Sequence, residues 1–170
     1  PYFFLIFRHK LVISYNMIKN KYLSLGLILL VTFVASGIGS FVTSSFKEPW
    51  YSEILLPSFN PPSWVFGPVW TILYIFMSVA AWSAWKKILD KKILKIYFTH
   101  LFFNSIWSVI FFGFHQIFLA LINLGIILVF IIWLMKIYYQ VSKISFLLMM
   151  PYLLWSFYAL ILNGAIFYLN

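Results

Sequence analysis

The chain has 170 residues, of which 64% are hydrophobic, 23% aromatic and only 9% charged, and its formal net charge is +9. A soluble domain carries about 25% charged residues, and a fold this small could not hide so much apolar surface from water. These proportions exclude a water-soluble enzyme and a disordered chain, and the lack of cysteine excludes disulfides and thiolate ligands. We therefore expect an integral membrane protein with one domain.

Residues 1–21 lie before the first long apolar stretch and are predicted to form an N-terminal extension. The apolar run in this segment, residues 2–7, is too short to span a bilayer, which needs about 20 residues. We expect an upstream addition or a truncated leader, in which Met17 is an alternative initiator.

Five apolar stretches follow, and each is long enough to cross a membrane. They must be helices, because lipid offers no hydrogen-bond partner to open strand edges. The predicted fold is therefore all-α, an integral membrane bundle of five transmembrane helices that forms one domain over residues 22–170. The short connections near residues 115 and 140 predict antiparallel neighbours. The predicted spans are about 22–46, 64–85, 96–114, 117–137 and 146–168.

The basic residues indicate how the chain is oriented. With five spans, 11 of the 12 Lys and Arg residues fall on one face of the membrane, and only Lys47 falls on the other. The positive-inside rule then places the N-terminus in the cytoplasm and the C-terminus outside. Since the basic residues flank spans and form no separate domain, we expect contacts with anionic membrane lipid and none with nucleic acid.

The connection between the first two spans, residues 47–63, differs from the other loops. It combines three aromatic residues, Trp50, Tyr51 and Phe59, with four prolines that stiffen it. A rigid aromatic loop of this length is typical of a lid over a site. It is equally typical of an aromatic belt at the membrane interface, and the residues alone leave both interpretations open.

Charged groups are missing from the interior of every span, since the three acids, Glu48, Glu53 and Asp90, all lie in loops. Proton relays and ion-coupled transporters usually carry such groups within the membrane. The sequence therefore predicts no conventional catalytic constellation and no metal site, although it leaves open a single histidine ligand to haem iron. The three histidines are His9, His100 and His115.

Tryptophan and asparagine recur at helical spacing in three spans. Aromatic walls with a few amide and indole donors are typical of a site for a flat, mostly apolar ligand. The alternative is that these side chains only join helices, and spacing alone favours that alternative slightly. In the first span, Ser36, Ser40 and Ser44 form a row of small residues that permits close helix approach. The residues on the other faces are Trp70 and Tyr74 in the second span, Asn104 and Trp107 in the third, and Trp155, Ala159 and Asn163 in the fifth.

Three longer motifs resemble a known family. Residues 57–74 read P-x-F-x-P-P-x-W-V-F-G-P-V-W-T-x-L-Y, and residues 101–112 read L-x-x-N-x-x-W-S-x-x-F-F. The last motif, in residues 151–170, begins P-Y-x-x-W and continues with A-x-x-L-N-x-x-I-x-x-L-N. Together with their order along residues 25–170, these motifs closely resemble the translocator protein family, also called tryptophan-rich sensory protein or peripheral benzodiazepine receptor (TspO/MBR).

The resemblance implies a five-helix membrane bundle with a lid between helices one and two, which would include Trp50 and Pro57. It implies that porphyrins such as protoporphyrin IX or haem bind as ligands, with a sensor, scavenging or transport role in stress and porphyrin homeostasis. The alternatives are a light- or oxygen-dependent porphyrin-degrading activity, in which Trp70 and Trp155 would transfer electrons, and a non-catalytic partner-binding membrane protein. The ligand-contacting residues implied by motif position are Trp70, Tyr74, Asn104, Trp107, Trp155 and Ala159.

The chain also departs from the family pattern. Leu56 stands where a basic residue is frequent, which weakens any pairing of the lid with porphyrin propionates, and His100 stands where glutamine is usual. A loose sterol pattern over residues 134–143 is a poor basis for cholesterol binding. The resemblance permits a homodimer. The Ile-, Lys-, Phe- and Asn-rich composition favours a prokaryotic cell membrane over the mitochondrial outer membrane, the alternative location.

Overall fold

The structure is a computed structural model that describes residues 20–170, so most of the predicted N-terminal extension, including His9 and Met17, lies outside the described residues. Among the residues described there are helices and no strands. The helices are α1 (Lys21–Phe46), α2 (Trp50–Glu53), α3 (Ser63–Ile88), α4 (Lys91–Ser108), α5 (Ile117–Val141) and α6 (Lys143–Leu169), and α4 continues as a π-helical turn over Val109–Gly113.

The prediction of an all-α fold with five membrane-spanning helices is confirmed, since five helices are long and apolar enough to cross a bilayer. The predicted ends differ most at α4, which begins at Lys91 and not near residue 96. Asp90 starts the helix earlier, because its side-chain oxygen accepts a hydrogen bond from the Lys92 backbone N–H at 2.8 Å. Hydropathy detects only the part of a helix that lies in hydrocarbon, whereas a cap extends the helix into the charged interface.

The five long helices form a closed ring in the order α1, α3, α6, α5, α4 and back to α1. The links between neighbours are short, since residues 114–116 join α4 to α5 and Ser142 alone joins α5 to α6. This confirms the prediction of antiparallel neighbours at both places. The side chain of Ser142 accepts a hydrogen bond from the Ser145 backbone N–H and thereby caps α6.

The two ends of the bundle are packed differently. At the lysine-rich end, formed by the last turns of α3 and α5 and the first turns of α4 and α6, the core is solid. There α3 presents Ala80, Ala81 and Ala84, all fully buried, and these small side chains let α4 and α5 pack close to it. At the opposite end, which we call the loop end, larger aromatic residues face inward and hold the helices around a cavity.

Helix α1 approaches α4 closely at Gly39, which is next to Ser40 of the predicted row of serines. A Cβ atom on Gly39 would lie 3.1 Å from Ser108 Oγ, so the missing side chain permits this contact with α4. The serines of the row, Ser36, Ser40 and Ser44, instead line the cavity. The small residues of α1 therefore serve both a helix contact and a polar cavity wall.

The π-helical turn at the end of α4 was not predicted from the sequence. The Phe114 backbone N–H donates to the Val109 carbonyl at 2.9 Å, five residues back, in place of an ordinary α-helical bond. The extra residue in this turn brings Phe111 and Phe112 into the interior together, and both rings are buried. Such turns are frequent at functional sites, and this one forms part of the cavity wall.

Candidate functional site

The loop end of the bundle encloses a cavity of about 490 Å³. Small-molecule sites in proteins usually measure about 300–1,000 Å³, so the cavity is large enough for a ligand of several fused rings. All five long helices contribute to its wall, and loop 47–63 contributes Lys47, Glu48 and Tyr51.

All six residues that the resemblance implies as ligand contacts line this cavity. They come from the consecutive helices α3 and α4 and from the distant helix α6, so the convergence of their side chains is a property of the fold. Their role in binding stays a prediction, but they share one site. These residues are Trp70 and Tyr74 on α3, Asn104 and Trp107 on α4, and Trp155 and Ala159 on α6.

Aromatic rings are arranged in pairs around the cavity. The rings of Trp70 and Tyr74 stack with their centroids 5.3 Å apart, and the rings of Trp107 and Phe111 stack at 5.0 Å. Trp155 meets Phe66 edge to face at 6.0 Å. Each ring is thus held by a neighbour in an arrangement that aromatic pairs prefer, and the walls present preformed apolar faces.

The inner end of the cavity is closed by a hydrogen-bonded group on three helices. The Tyr74 hydroxyl donates to Asn104 Oδ1 at 2.6 Å, and Asn104 Nδ2 donates to the Tyr152 hydroxyl at 3.0 Å. We expected Asn104 either to face a ligand or to join helices. In the structure it does both, because it lines the cavity and is hydrogen-bonded to two other helices. Because both ends of its amide already have tyrosine partners, its first contribution is to the cavity floor.

The two described histidines lie outside the cavity wall. His100 is fully buried behind the floor, where its Nε2 lies 2.7 Å from the Tyr152 hydroxyl. His115 is exposed and stacks on Trp50 with ring centroids 4.4 Å apart. Among the described residues no cluster of three or more His, Asp or Glu side chains is arranged to hold a metal ion. No described histidine is therefore placed to bind the iron of a haem within the cavity.

A second hydrogen-bonded pair supports the wall near the loop end. The Trp107 indole N–H donates to Asn163 Oδ1 at 3.3 Å, and Asn163 Nδ2 donates to the Ile117 carbonyl at 3.0 Å. Asn163 belongs to α6 and Ile117 is the first residue of α5, so this hydrogen bond joins the two helices at the loop end. The orientation of the Trp107 ring is fixed by this contact.

Loop 47–63 is fastened to the rest of the bundle at several points. The side chain of Asn170 accepts from the Leu55 backbone N–H at 2.9 Å and donates to the Leu55 carbonyl at 3.0 Å. The Tyr158 hydroxyl donates to the Phe59 carbonyl at 2.7 Å. Contacts of this kind hold the loop against α6, and they are consistent with a cover over the cavity as well as with an interfacial belt.

The two residues assigned to the lid, Trp50 and Pro57, do not line the cavity. Trp50 packs edge to face on Phe111 at 5.4 Å and stacks on His115, so it anchors the loop to the end of α4. The loop residue that reaches the cavity with an aromatic ring is Tyr51, whose hydroxyl donates to Asn60 Oδ1 at 3.1 Å. Burial raises the pKa of Tyr51 above its usual value.

The mouth of the cavity carries the charges. Lys47 Nζ lies 3.2 Å from Ser63 Oγ, 3.4 Å from Glu48 Oε1 and 5.0 Å from the centroid of the Tyr51 ring. A hydrogen bond from Ser52 and then the neighbouring Lys47 lower the pKa of Glu48. The sequence interpretation treated Lys47 only as the one basic residue on the opposite face of the membrane. That unusual position was the signal in the sequence that could have identified it as a site residue.

Tyr158 is another cavity residue that the sequence interpretation missed. It follows Trp155 by three residues on α6, and its ring lies 5.5 Å from that of Trp155. The helical spacing that selected Trp155 and Ala159 could have selected Tyr158 as well.

Comparisons with known proteins agree with this architecture. The sequence profile of the TspO/MBR family matches residues 27–169. The chain is 37% identical to Tryptophan-rich protein TspO of Archaeoglobus fulgidus over 134 residues, which are 78% of this chain and 87% of that protein. It is 33% identical to Tryptophan-rich sensory protein of Cereibacter sphaeroides over 84% of this chain and 91% of that protein. It is 34% identical to Translocator protein of Homo sapiens over 76% of this chain and 82% of that protein.

Proposed function

The chain belongs to the TspO/MBR family, and from this membership we propose that it binds a porphyrin or a similar flat tetrapyrrole in the cavity at the loop end. The proposed role is that of a membrane sensor, scavenger or transporter in porphyrin homeostasis and stress. The relatives' names, which include a sensory protein and a translocator protein, support this class of role.

One observation carries the proposal: the six residues implied as ligand contacts line a single cavity of suitable size. A tetrapyrrole is a broad aromatic ring system, and its faces are best matched by indole and phenol rings placed on opposite walls. Trp70 lies on α3, Trp107 on α4 and Trp155 on α6, so rings approach the cavity from three sides. Burial of an apolar macrocycle there is favoured at about 25 cal/mol per Å² of apolar surface removed from water.

An equilibrium titration of the purified protein with protoporphyrin IX, followed by tryptophan quenching and porphyrin absorbance, tests the proposal. Trp70→Ala removes one aromatic wall and should weaken binding by about 1–3 kcal/mol, or roughly 5- to 150-fold. Trp64→Ala is the matched control, because Trp64 is 76% exposed and does not line the cavity. Equal affinity in the two variants would contradict binding at this site.

We also propose that the N-terminus is cytoplasmic and that the cavity opens on the extracytoplasmic side. The described lysines near helix ends gather at the lysine-rich end, with Lys47 as the exception at the loop end. A bacterial or archaeal cell membrane is the proposed location, and a homodimer is compatible with the ring of helices, whose outer faces are apolar.

A second candidate function is a light-dependent reaction of the bound porphyrin, and one contact favours it. The Trp70 ring lies 6.1 Å from the Tyr152 ring, whose hydroxyl is 2.7 Å from His100 Nε2. If the Trp70 indole donates an electron to an excited porphyrin, Tyr152 lies beside it, and the Tyr152 hydroxyl is hydrogen-bonded to the His100 base. Trp155, the other candidate electron donor, lies on α6 and packs against Phe66 of α3 and Tyr158.

Illumination separates the two candidate functions. Protoporphyrin IX bound to the protein would be illuminated in air, and its absorbance compared with porphyrin bound to Trp70→Phe and Trp155→Phe variants at equal occupancy. Loss of absorbance that requires the protein and slows in the variants would support the light-dependent reaction. Equal bleaching with and without protein would leave binding alone as the function.

A further inference from the structure

Lys47 is the only lysine or arginine that the described residues place at the loop end of the bundle. A positive charge on this side runs against the distribution of the other basic residues and against the rule that orients membrane proteins. It also lies in the wall of the cavity, as no other basic residue of the described chain does. A function at the cavity gives this unfavourable placement a physical reason.

The cavity is polarised along its length. Its depth is formed by aromatic rings, by the tyrosine-bound amide of Asn104 and by the hydroxyls of Ser36 and Ser40, whereas the only charged side chains that the described residues contribute, the Lys47–Glu48 pair, lie at the mouth. A ligand that matches this gradient has an apolar ring system and a polar, anionic edge. The edge would face the mouth, because an anion moved deeper would lose its hydration without finding a cation.

The environment of Lys47 leaves its charge available. Its side chain is 25% exposed, and its carboxylate partner Glu48 is 56% exposed at a separation of 3.4 Å. Such a half-solvated pair contributes little free energy, so an incoming acid can take the place of Glu48 at small cost. The Lys47 ammonium has three N–H donors, of which Ser63 Oγ accepts one at 3.2 Å.

We infer that Lys47 binds a carboxylate of the ligand at the cavity mouth, so that the site selects tetrapyrroles with acidic side chains along one edge. The inference rests on the proposed function and adds the residue that selects for the acidic groups of the ligand. Leu56 leaves the loop without a basic residue at that position, and Lys47 at the end of α1 supplies a cation near the cavity in its place. Glu48, which lines the same mouth, acts as the competing anion.

The test compares protoporphyrin IX with its dimethyl ester, which has the same ring system and no carboxylate. Both would be titrated into the full chain in phosphatidylcholine nanodiscs, in wild type and in Lys47→Gln, Lys47→Arg and Glu48→Gln variants. Lys95→Gln is the matched control, because Lys95 is exposed at the lysine-rich end. Melting temperatures measured without ligand identify any variant that is not folded.

We expect Lys47→Gln to weaken binding of the diacid about 3- to 10-fold and to leave the diester unchanged. Lys47→Arg should keep the diacid affinity, and Glu48→Gln should raise it, because the competing carboxylate is gone. An equal loss for diacid and diester, or no loss for the diacid, would overturn the inference while wild-type binding kept the proposed function intact. Binding of neither porphyrin to wild type would overturn both.

Lipid phosphate is the other anion that could reach the mouth. Repeating the titration in nanodiscs that contain phosphatidylglycerol distinguishes the two sources. A Lys47→Gln effect that appears only in the anionic lipid would assign the lysine to lipid and overturn the inference. The same effect in both lipids would support it.

Discussion

Removal of the Asn104 side chain should affect stability and binding together. Its amide joins three helices, since Oδ1 accepts from Tyr74 on α3 at 2.6 Å and Nδ2 donates to Tyr152 on α6 at 3.0 Å. Interhelical hydrogen bonds within membranes contribute about 0.6 kcal/mol each on average and about 1.7 at most. The loss of two such bonds in Asn104→Ala should therefore cost about 1.5 kcal/mol of stability.

Two features of the site limit this cost. Tyr152 keeps its hydrogen bond to His100 at 2.7 Å, and Tyr74 faces a cavity where its hydroxyl can find water. At roughly 2–4 °C per kcal/mol, the melting temperature should fall by about 3–6 °C. The Tyr74 ring, no longer fixed by the amide, stacks less firmly on Trp70, and porphyrin affinity should fall about 3- to 10-fold.

The matched control is Asn123→Ala. Asn123 is also buried and also joins two helices, because its Nδ2 donates to the Phe103 carbonyl at 2.9 Å, but it does not line the cavity. Asn123→Ala should lower the melting temperature and leave affinity unchanged. Thermal unfolding without ligand and equilibrium titration would be measured on both variants. A normal melting temperature for Asn104→Ala would refute the tyrosine links, and an unchanged affinity would refute its place in the site.

Three further predictions address the loop, the orientation and the pH dependence. Trp50→Ala should shorten the residence time of bound porphyrin by roughly 5- to 100-fold in stopped-flow dissociation, because the loop loses its packing on Phe111 and His115; an unchanged rate would make Trp50 a simple interfacial anchor. A reporter fused after Asn170 should be extracytoplasmic, and a cytoplasmic signal would contradict the orientation. Burial raises the pKa of Tyr51 above its usual 10.0, so the folded state keeps a proton that the unfolded chain releases. Unfolding measurements should show stability from this residue that is constant below about pH 10 and falls at higher pH, and a Tyr51→Phe variant with the same decline would contradict this cause.

The membrane spans could be predicted because each is a long apolar run, and the lipid leaves the helix as the only structure for such a run. The ends of the helices could not be predicted as well, because Asp90 and Ser142 cap helices beyond the apolar part. The aromatic wall followed from helical spacing at Trp70, Trp107 and Trp155, although spacing alone did not separate a cavity from a packed interface.

Other parts of the site depend on contacts between distant residues and leave no local pattern. The π-helical turn that brings Phe111 and Phe112 inward needs one residue more than an α-helical turn, and nothing in the composition of Val109–Gly113 requires it. The pairing of Asn170 with the Leu55 backbone spans 115 residues of sequence. The hydrogen bonds between the Asn104 amide and two tyrosines depend on how α3, α4 and α6 pack together, so no local sequence pattern predicts them.

If a porphyrin occupies the cavity, a side chain that fills the cavity should prevent its binding. Ala159→Phe places a ring inside the cavity, while Ile161→Phe places the same ring on the exposed, lipid-facing side of α6. Saturable binding of protoporphyrin IX would be measured for both variants after their melting temperatures are shown to match wild type. We expect at least a tenfold loss of affinity in Ala159→Phe and none in Ile161→Phe. Wild-type affinity in a folded Ala159→Phe variant would contradict porphyrin binding in this cavity.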